Sequence, residues 1–209
     1  MTRCSVLVKF AIIAGVLALP GSEIPAAQRG TTPARWITAW GTSQQGLGMT
    51  TVSNATVRMI ARATVSGEAV RIRLDNTFGT APLSIGKTYV GPRIQGAALA
   101  AGSNKQVFFG QSSGVTIPSG GTVTSDPVAL PVLAQQDLAI SLYIPDGSVR
   151  PSQHANAQVT SYLTPNGSGD LASEEAAKPF TATTTSLFWL KAIDVLSASS
   201  TGAIVAFGD

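Results

Sequence analysis

A hydrolytic site needs a nucleophile, a base that activates it and an acid that orients the base. This 209-residue chain carries a single histidine, His154, and a single cysteine, Cys4. His154 follows Pro151-Ser152-Gln153 in a turn-rich stretch, where an imidazole is most often a hydrogen-bonding loop residue. Contact with a substrate or with a neighbouring domain ranks next for it, and catalysis last. One imidazole and one thiol near the start of the chain make no metal-ligand cluster, so neither a metal nor any other cofactor is expected. A structural calcium held by loop carboxylates is the only metal chemistry the composition leaves open. The aspartates Asp75, Asp126, Asp137, Asp146, Asp170 and Asp194 fall mainly at strand ends and in turns, where local capping accounts for them. The remaining chemical feature is the ending: Ala203-Ile204-Val205-Ala206-Phe207 is an unbroken apolar run closed by Gly208-Asp209. It reads as a strand covered on both faces that enters a tight turn, where glycine lets the backbone expose the next side chain.

Two further groups could recognise a ligand. Trp36, Trp40, Tyr89, Tyr143, Tyr162 and Trp189 could line a sugar-binding face, although their strand-like surroundings make core packing the default. Arg58, Arg62, Arg71 and Arg73 alternate with apolar residues and could form an outer basic ridge, better matched to cross-strand acids or a neighbouring domain than to a ligand.

The elements that must position these residues are strands. Only 12% of the chain is charged and 44% is hydrophobic, which excludes a disordered chain. A net charge of +3 with dispersed arginines argues against nucleic acid as a partner. Val70-Arg71-Ile72-Arg73-Leu74-Asp75 alternates cleanly, with Val70, Ile72 and Leu74 inward. Thr56 to Thr64 precedes it, and Ser66-Gly67-Glu68 suggests an antiparallel hairpin between the two. Further strands are predicted at 83–90, 106–109, 115–117, 128–132, 138–144, 157–162 and 187–195, with Leu138, Ile140, Leu142 and Ile144 on one face. Turn formers such as Pro118-Ser119-Gly120-Gly121 and Pro145-Asp146-Gly147 punctuate them. The pattern predicts an all-β fold, a two-sheet, jelly-roll-like β-sandwich. Residues 165–186 read as a long surface loop with at most a short helical turn at 171–178, and Ser197 to Gly202 as a linker.

Ahead of the sandwich, Arg3 and Lys9 precede an apolar stretch from Phe10 to Leu19, broken by Pro20-Gly21 before Ala26-Ala27. This predicts a secretory signal peptide over residues 1–27, a secreted or periplasmic destination, and no membrane association after cleavage. Cys4 would leave with it, so the mature chain would have neither disulfide nor thiol nucleophile.

Taken in order, several stretches resemble the N-terminal region of bacterial secreted SGNH/GDSL-type hydrolases, an esterase and lipase family. They are Trp36-Ile37-Thr38-Ala39-Trp40-Gly41-Thr42-Ser43, Thr56-Val57-Arg58 to Arg62, Val70 to Gly79 with Pro82-Leu83-Ser84-Ile85-Gly86, Ser125-Asp126-Pro127-Val128, Leu138 to Pro145, His154 with Thr160-Ser161-Tyr162, and Ala203 to Asp209. The resemblance implies an accessory β-sandwich over residues 28–199. Residues 200–209 would then be a linker and the first strand of a truncated α/β, flavodoxin-like hydrolase domain. Gly208 and Asp209 match the start of the family's Gly-Asp-Ser motif, whose serine would be the next residue. No catalytic residue carries over, and the chain alone is expected to be inactive as an esterase. The implied parent reaction is hydrolysis of carboxylic esters, with acetylated glycans among the candidate substrates. A stand-alone carbohydrate-binding or adhesion sandwich is the alternative.

Overall fold

The alternation of apolar and polar residues produces strands throughout. The computed structural model describes residues 33–145 and 147–198. The first part contains β1 (Arg35–Gly41), β2 (Gly46–Leu47), β3 (Ala55–Ala63), β4 (Val70–Asp75), β5 (Leu83–Ile85) and β6 (Lys87–Gln95). There follow β7 (Ala98–Leu99), β8 (Lys105–Val107), β9 (Val115–Ile117), β10 (Thr122–Thr124) and β11 (Gln136–Ile144). The last are β12 (Ser152–His154), β13 (Ser161–Leu163), β14 (Ala182–Thr184), β15 (Leu187–Phe188) and β16 (Leu190–Ser197). The fold is an all-β sandwich. A four-stranded sheet in the order β1-β16-β4-β10 contributes one layer, and a seven-stranded sheet, β14-β13-β3-β11-β6-β7 with β8 on β6, the other. Small sheets β15-β12-β2 and β5-β9 complete it.

The core forms where the inward faces of the large sheets meet. Val70, Ile72 and Leu74 of β4 and Ile193 and Val195 of β16 join Val57 and Met59 of β3 and Leu138, Ile140, Leu142 and Ile144 of β11 in one buried cluster. Both expected inward faces are therefore present. Each such side chain contributes about 1.5–3 kcal/mol relative to exposure.

The expected hairpin between 56–64 and 70–75 does not form. β3 pairs with β11 and β13, whereas β4 pairs with β16 and β10, so Ser66-Gly67-Glu68 carries the chain from one layer to the other. At that crossing Glu68 N–H donates to the Leu196 carbonyl at 3.0 Å. A Cβ on Gly67 would stand 2.7 Å from the same oxygen, so only glycine allows the approach.

Other boundaries shift for local reasons. Residues 83–90 divide into β5 and β6 at Gly86. Residues 128–132 make only isolated bridges, Val70 with Val128 and Gly67 with Val132, because Pro127 and Pro131 lack the N–H a ladder requires. Residues 187–195 break at Trp189, whose left-handed φ of 57° turns the strand from the small sheet into the four-stranded one.

The basic ridge is a second correction. Arg58 is completely buried, and Arg71 and Arg73 lie on the other sheet. Arg58 Nε donates to Ser141 Oγ at 2.8 Å and Nη1 to the Ala97 carbonyl at 2.5 Å, while Nη2 donates to the Glu174 carbonyl. Its guanidinium lies 3.9 Å from the centre of the Phe180 ring, and burial lowers its pKa to about 10, against the opposing pull of Glu174 and Glu175. The segment read as a surface loop is thus a roof over the outer face of β3. It is tied down by Glu175, whose carboxylate accepts from Gly102 and Asn104 N–H at 2.8 and 3.0 Å, and by Ala172 and Phe180, both buried. It makes turns and, near its end, β14, but no helix. The expected signal peptide, and the expected strand with Gly208 and Asp209, lie outside the described residues.

Candidate functional site

His154 does not stand on a free loop. It ends the short strand β12, opposite Leu187 of β15, and the small sheet carries it to a place where β1 and β3 also arrive. Its Nδ1 lies 2.9 Å from the Ser43 carbonyl. A carbonyl only accepts, so in the neutral ring the proton sits on Nδ1 and Nε2 keeps its lone pair. The imidazole, half-buried, lines a cleft of about 420 Å³.

One wall of this cleft is Trp40. The register of β1 against β16 shifts between Thr38 and Trp40, a bulge of the kind that re-aims a side chain. Ala39 is buried behind it, and its carbonyl accepts from Thr64 N–H and Oγ1 at 2.9 and 2.6 Å. Trp40 packs partly on the core and partly lines the cleft.

Another part of the lining is charged. Arg62 on β3 faces Asp137 on β11 directly across the ladder. Its Nε donates to Oδ1 at 2.6 Å and its Nη2 to Oδ2 at 3.2 Å. From the other side Arg93 of β6 donates Nη1 to Oδ2 at 3.1 Å and Nε to the Gly96 carbonyl at 2.8 Å. The hydrogen bond from Arg62 holds the Asp137 carboxyl below its ordinary range; burial opposes this, and the charges of Arg62 and Arg93 reinforce it. The same contact raises the Arg62 pKa.

The rim is the turn at 156–159. Asn156 and Gln158 both have left-handed backbones, with φ of 53° and 56°. That geometry is ordinary for asparagine but costs about 1 kcal/mol for glutamine, and the Ala157 N–H bond to the Thr185 carbonyl at 2.8 Å holds it. Gln158 is exposed on the cleft.

A second polar cluster lies on the outer face of the four-stranded sheet. Asp194, mid-strand in β16, accepts from Thr38 Oγ1 at 2.8 Å, from Arg73 Nε at 3.0 Å and from Arg71 Nη2 at 3.2 Å, with Arg73 Nη2 a further donor. The Arg71 guanidinium stacks 4.1 Å from the Trp36 ring centre. Every lone pair of Asp194 is engaged, and its side chain is 3% exposed, so the cluster is an internal tie rather than a receptor. Asp194 thus stands inside its strand, where strand-end capping does not account for it.

Sequence reasoning placed His154 and Trp40 among the candidates but did not join them to Asp137, and it passed over Arg93. The available signal was the opposite charge of Arg62 and Asp137 on two strands whose apolar faces both point inward. Among the described residues no three His, Cys, Asp or Glu side chains gather as a metal site would require. No helix of the described residues is long and apolar enough to cross a membrane. Neither the known family models nor the curated proteins give a match to this chain.

Proposed function

We propose that this β-sandwich is a ligand-binding accessory domain that works beside an ester-hydrolysing domain of the SGNH/GDSL type in an exported protein, with the cleft around His154 as its binding site. The ordered sequence resemblance supports the ester-hydrolase setting. The observation that carries the binding role is the cleft itself, where an aromatic wall, an imidazole with a free lone pair, a side-chain amide and two guanidiniums converge. That combination suits a hydroxyl-rich ligand such as a glycan: the ring packs on the aromatic, and planar polar groups read its hydroxyls.

Esterase chemistry in this cleft has little support. Among the described residues that line it there is no serine or cysteine, and Thr42 supplies the one side-chain hydroxyl. His154 Nδ1 faces a main-chain carbonyl, whereas a catalytic base is oriented by a carboxylate in the usual triad. The described lining residues all lie between Trp40 and Leu187, within the sandwich, as the stand-alone binding alternative also requires.

The test sets ester hydrolysis against glycan binding by the same purified chain. Background hydrolysis of p-nitrophenyl acetate, together with retention on a polysaccharide that is lost in Trp40→Ala, is the expected pair of results. Turnover that disappears in His154→Ala would overturn the proposal, as would a lack of affinity for every polysaccharide tried.

A further inference from the structure

We infer that the cleft selects an anionic ligand, a glycan carrying carboxylates of the uronate type. The inference rests on the binding role proposed above and deepens it. Charge is the first observation: two guanidiniums, Arg62 and Arg93, share the single carboxylate of Asp137, which leaves one positive charge unmatched in the cleft.

Geometry is the second. Arg62 commits Nε and Nη2 to Asp137, so its Nη1 remains available. Arg93 commits Nε to Gly96 and Nη1 to Asp137, so its Nη2 remains available. One carboxylate therefore fixes both guanidiniums in place without using up their donors. Because both already pair with Asp137, Arg93 partly buried and Arg62 by a two-point contact at the surface, an incoming carboxylate has less side-chain freedom to restrict. Arginine donors bound to a carboxylate form the stronger class of hydrogen bond, and planar recognition of this kind discriminates an acid from its ester.

The other groups fit the rest of such a ligand. Trp40 offers a surface for the apolar face of the sugar ring. The lone pair on His154 Nε2 can accept from a hydroxyl, and the Gln158 amide can both donate and accept. Among the described residues that line the cleft only Asp137 is acidic, and it is held ionised between the two arginines.

The experiment compares oligogalacturonate with its fully methyl-esterified form by calorimetry on the full chain. The two ligands share one sugar skeleton and differ in charge. Oligogalacturonate should bind, and the methyl ester should bind about tenfold more weakly. Arg62→Gln and Arg93→Gln should each weaken oligogalacturonate binding about 5- to 10-fold and weaken binding of the ester clearly less, while Arg150→Gln, an exposed arginine away from the cleft, changes neither. Salt at about 1 M should remove most of the preference for the acid, since screening then acts within about 3 Å. Equal binding of acid and ester, lost in Trp40→Ala but indifferent to both arginine variants, would overturn the charge selection and leave the glycan-binding role standing. Acid binding that the cleft arginine variants reduce no more than Arg150→Gln does would also overturn it. Binding of neither ligand, nor of any neutral polysaccharide, by folded protein would overturn both.

Discussion

The Arg58 guanidinium lies 3.9 Å from the centre of the Phe180 ring, and that contact fastens a segment distant in sequence to the outside of β3. The arginine also donates to Ser141, Ala97 and Glu174, so removing it strands three acceptors beneath the roof. Arg58→Ala should lower unfolding free energy by about 3 kcal/mol. Limited proteolysis should then cut within residues 171–181, which the wild type protects. An unchanged denaturant midpoint and cleavage pattern would mean that Glu175 alone secures the segment.

Acid should unfold the protein through its buried aspartates. Burial pushes the Asp194 carboxyl up, but hydrogen bonds from Arg73 and Thr38 and the charges of Arg73 and Arg71 outweigh it, so the folded value is depressed. Asp75 behaves alike: burial raises it, and Lys191 and Thr77 bring it below the ordinary range. A depressed carboxylate contributes stability above its unfolded pKa, about 3.9, and loses it as pH falls through the folded value. The urea midpoint should therefore be flat near neutrality and fall below about pH 4. Asp194→Asn should cost about 2 kcal/mol at pH 7 and make the acid limb shallower. A variant with an unaltered acid limb would show that Asp194 takes no part in it.

Glycan affinity and stability should respond differently at two residues of the cleft. His154→Ala removes one acceptor and should weaken binding about fivefold, with little change in thermal midpoint. Trp40→Ala should weaken it more than tenfold and also lower the midpoint, because the same ring packs against the core. Parallel titrations and thermal melts of both variants check this; equal losses of stability would argue that His154 has a structural role.

Gly86 separates β5 from β6, and a Cβ there would stand 2.8 Å from the Tyr143 ring. Gly86→Ala should cost about 1–3 kcal/mol. Pairing the change with Tyr143→Leu, which removes the obstructing ring, should recover part of that loss. An additive double variant would place the cost elsewhere.

The faces of the sandwich could be read from the chain because period two assigns them locally: Val70, Ile72 and Leu74 point inward, as do the alternate residues from Leu138 to Ile144. Pairing could not be read in the same way. Ser66-Gly67-Glu68 has the composition of a hairpin turn, yet the contact that decides its path is the Leu196 carbonyl, far along the chain. Arg58 shows the same limit. Its alternation with Val57 and Met59 puts it correctly on the outer face of β3, but nothing nearby in sequence reveals that Glu174 and Phe180 cover that face. In the cleft, His154 stood out by being alone, whereas Asp137 resembled any aspartate at the head of a strand. Its two arginine partners lie on different strands, and their meeting is a property of sheet order rather than of spacing.

β1 and β16 lie side by side with Arg35 opposite Ser197, so the first and last strands of the described sandwich have their outer ends together. Tension applied between those ends would load the hydrogen bonds of this pair one at a time, peeling it from the tip instead of shearing all of them together. The sandwich is accordingly a weak link under pulling force, however well its core resists heat. The same adjacency lets it be spliced into a loop of another protein without stretching the host.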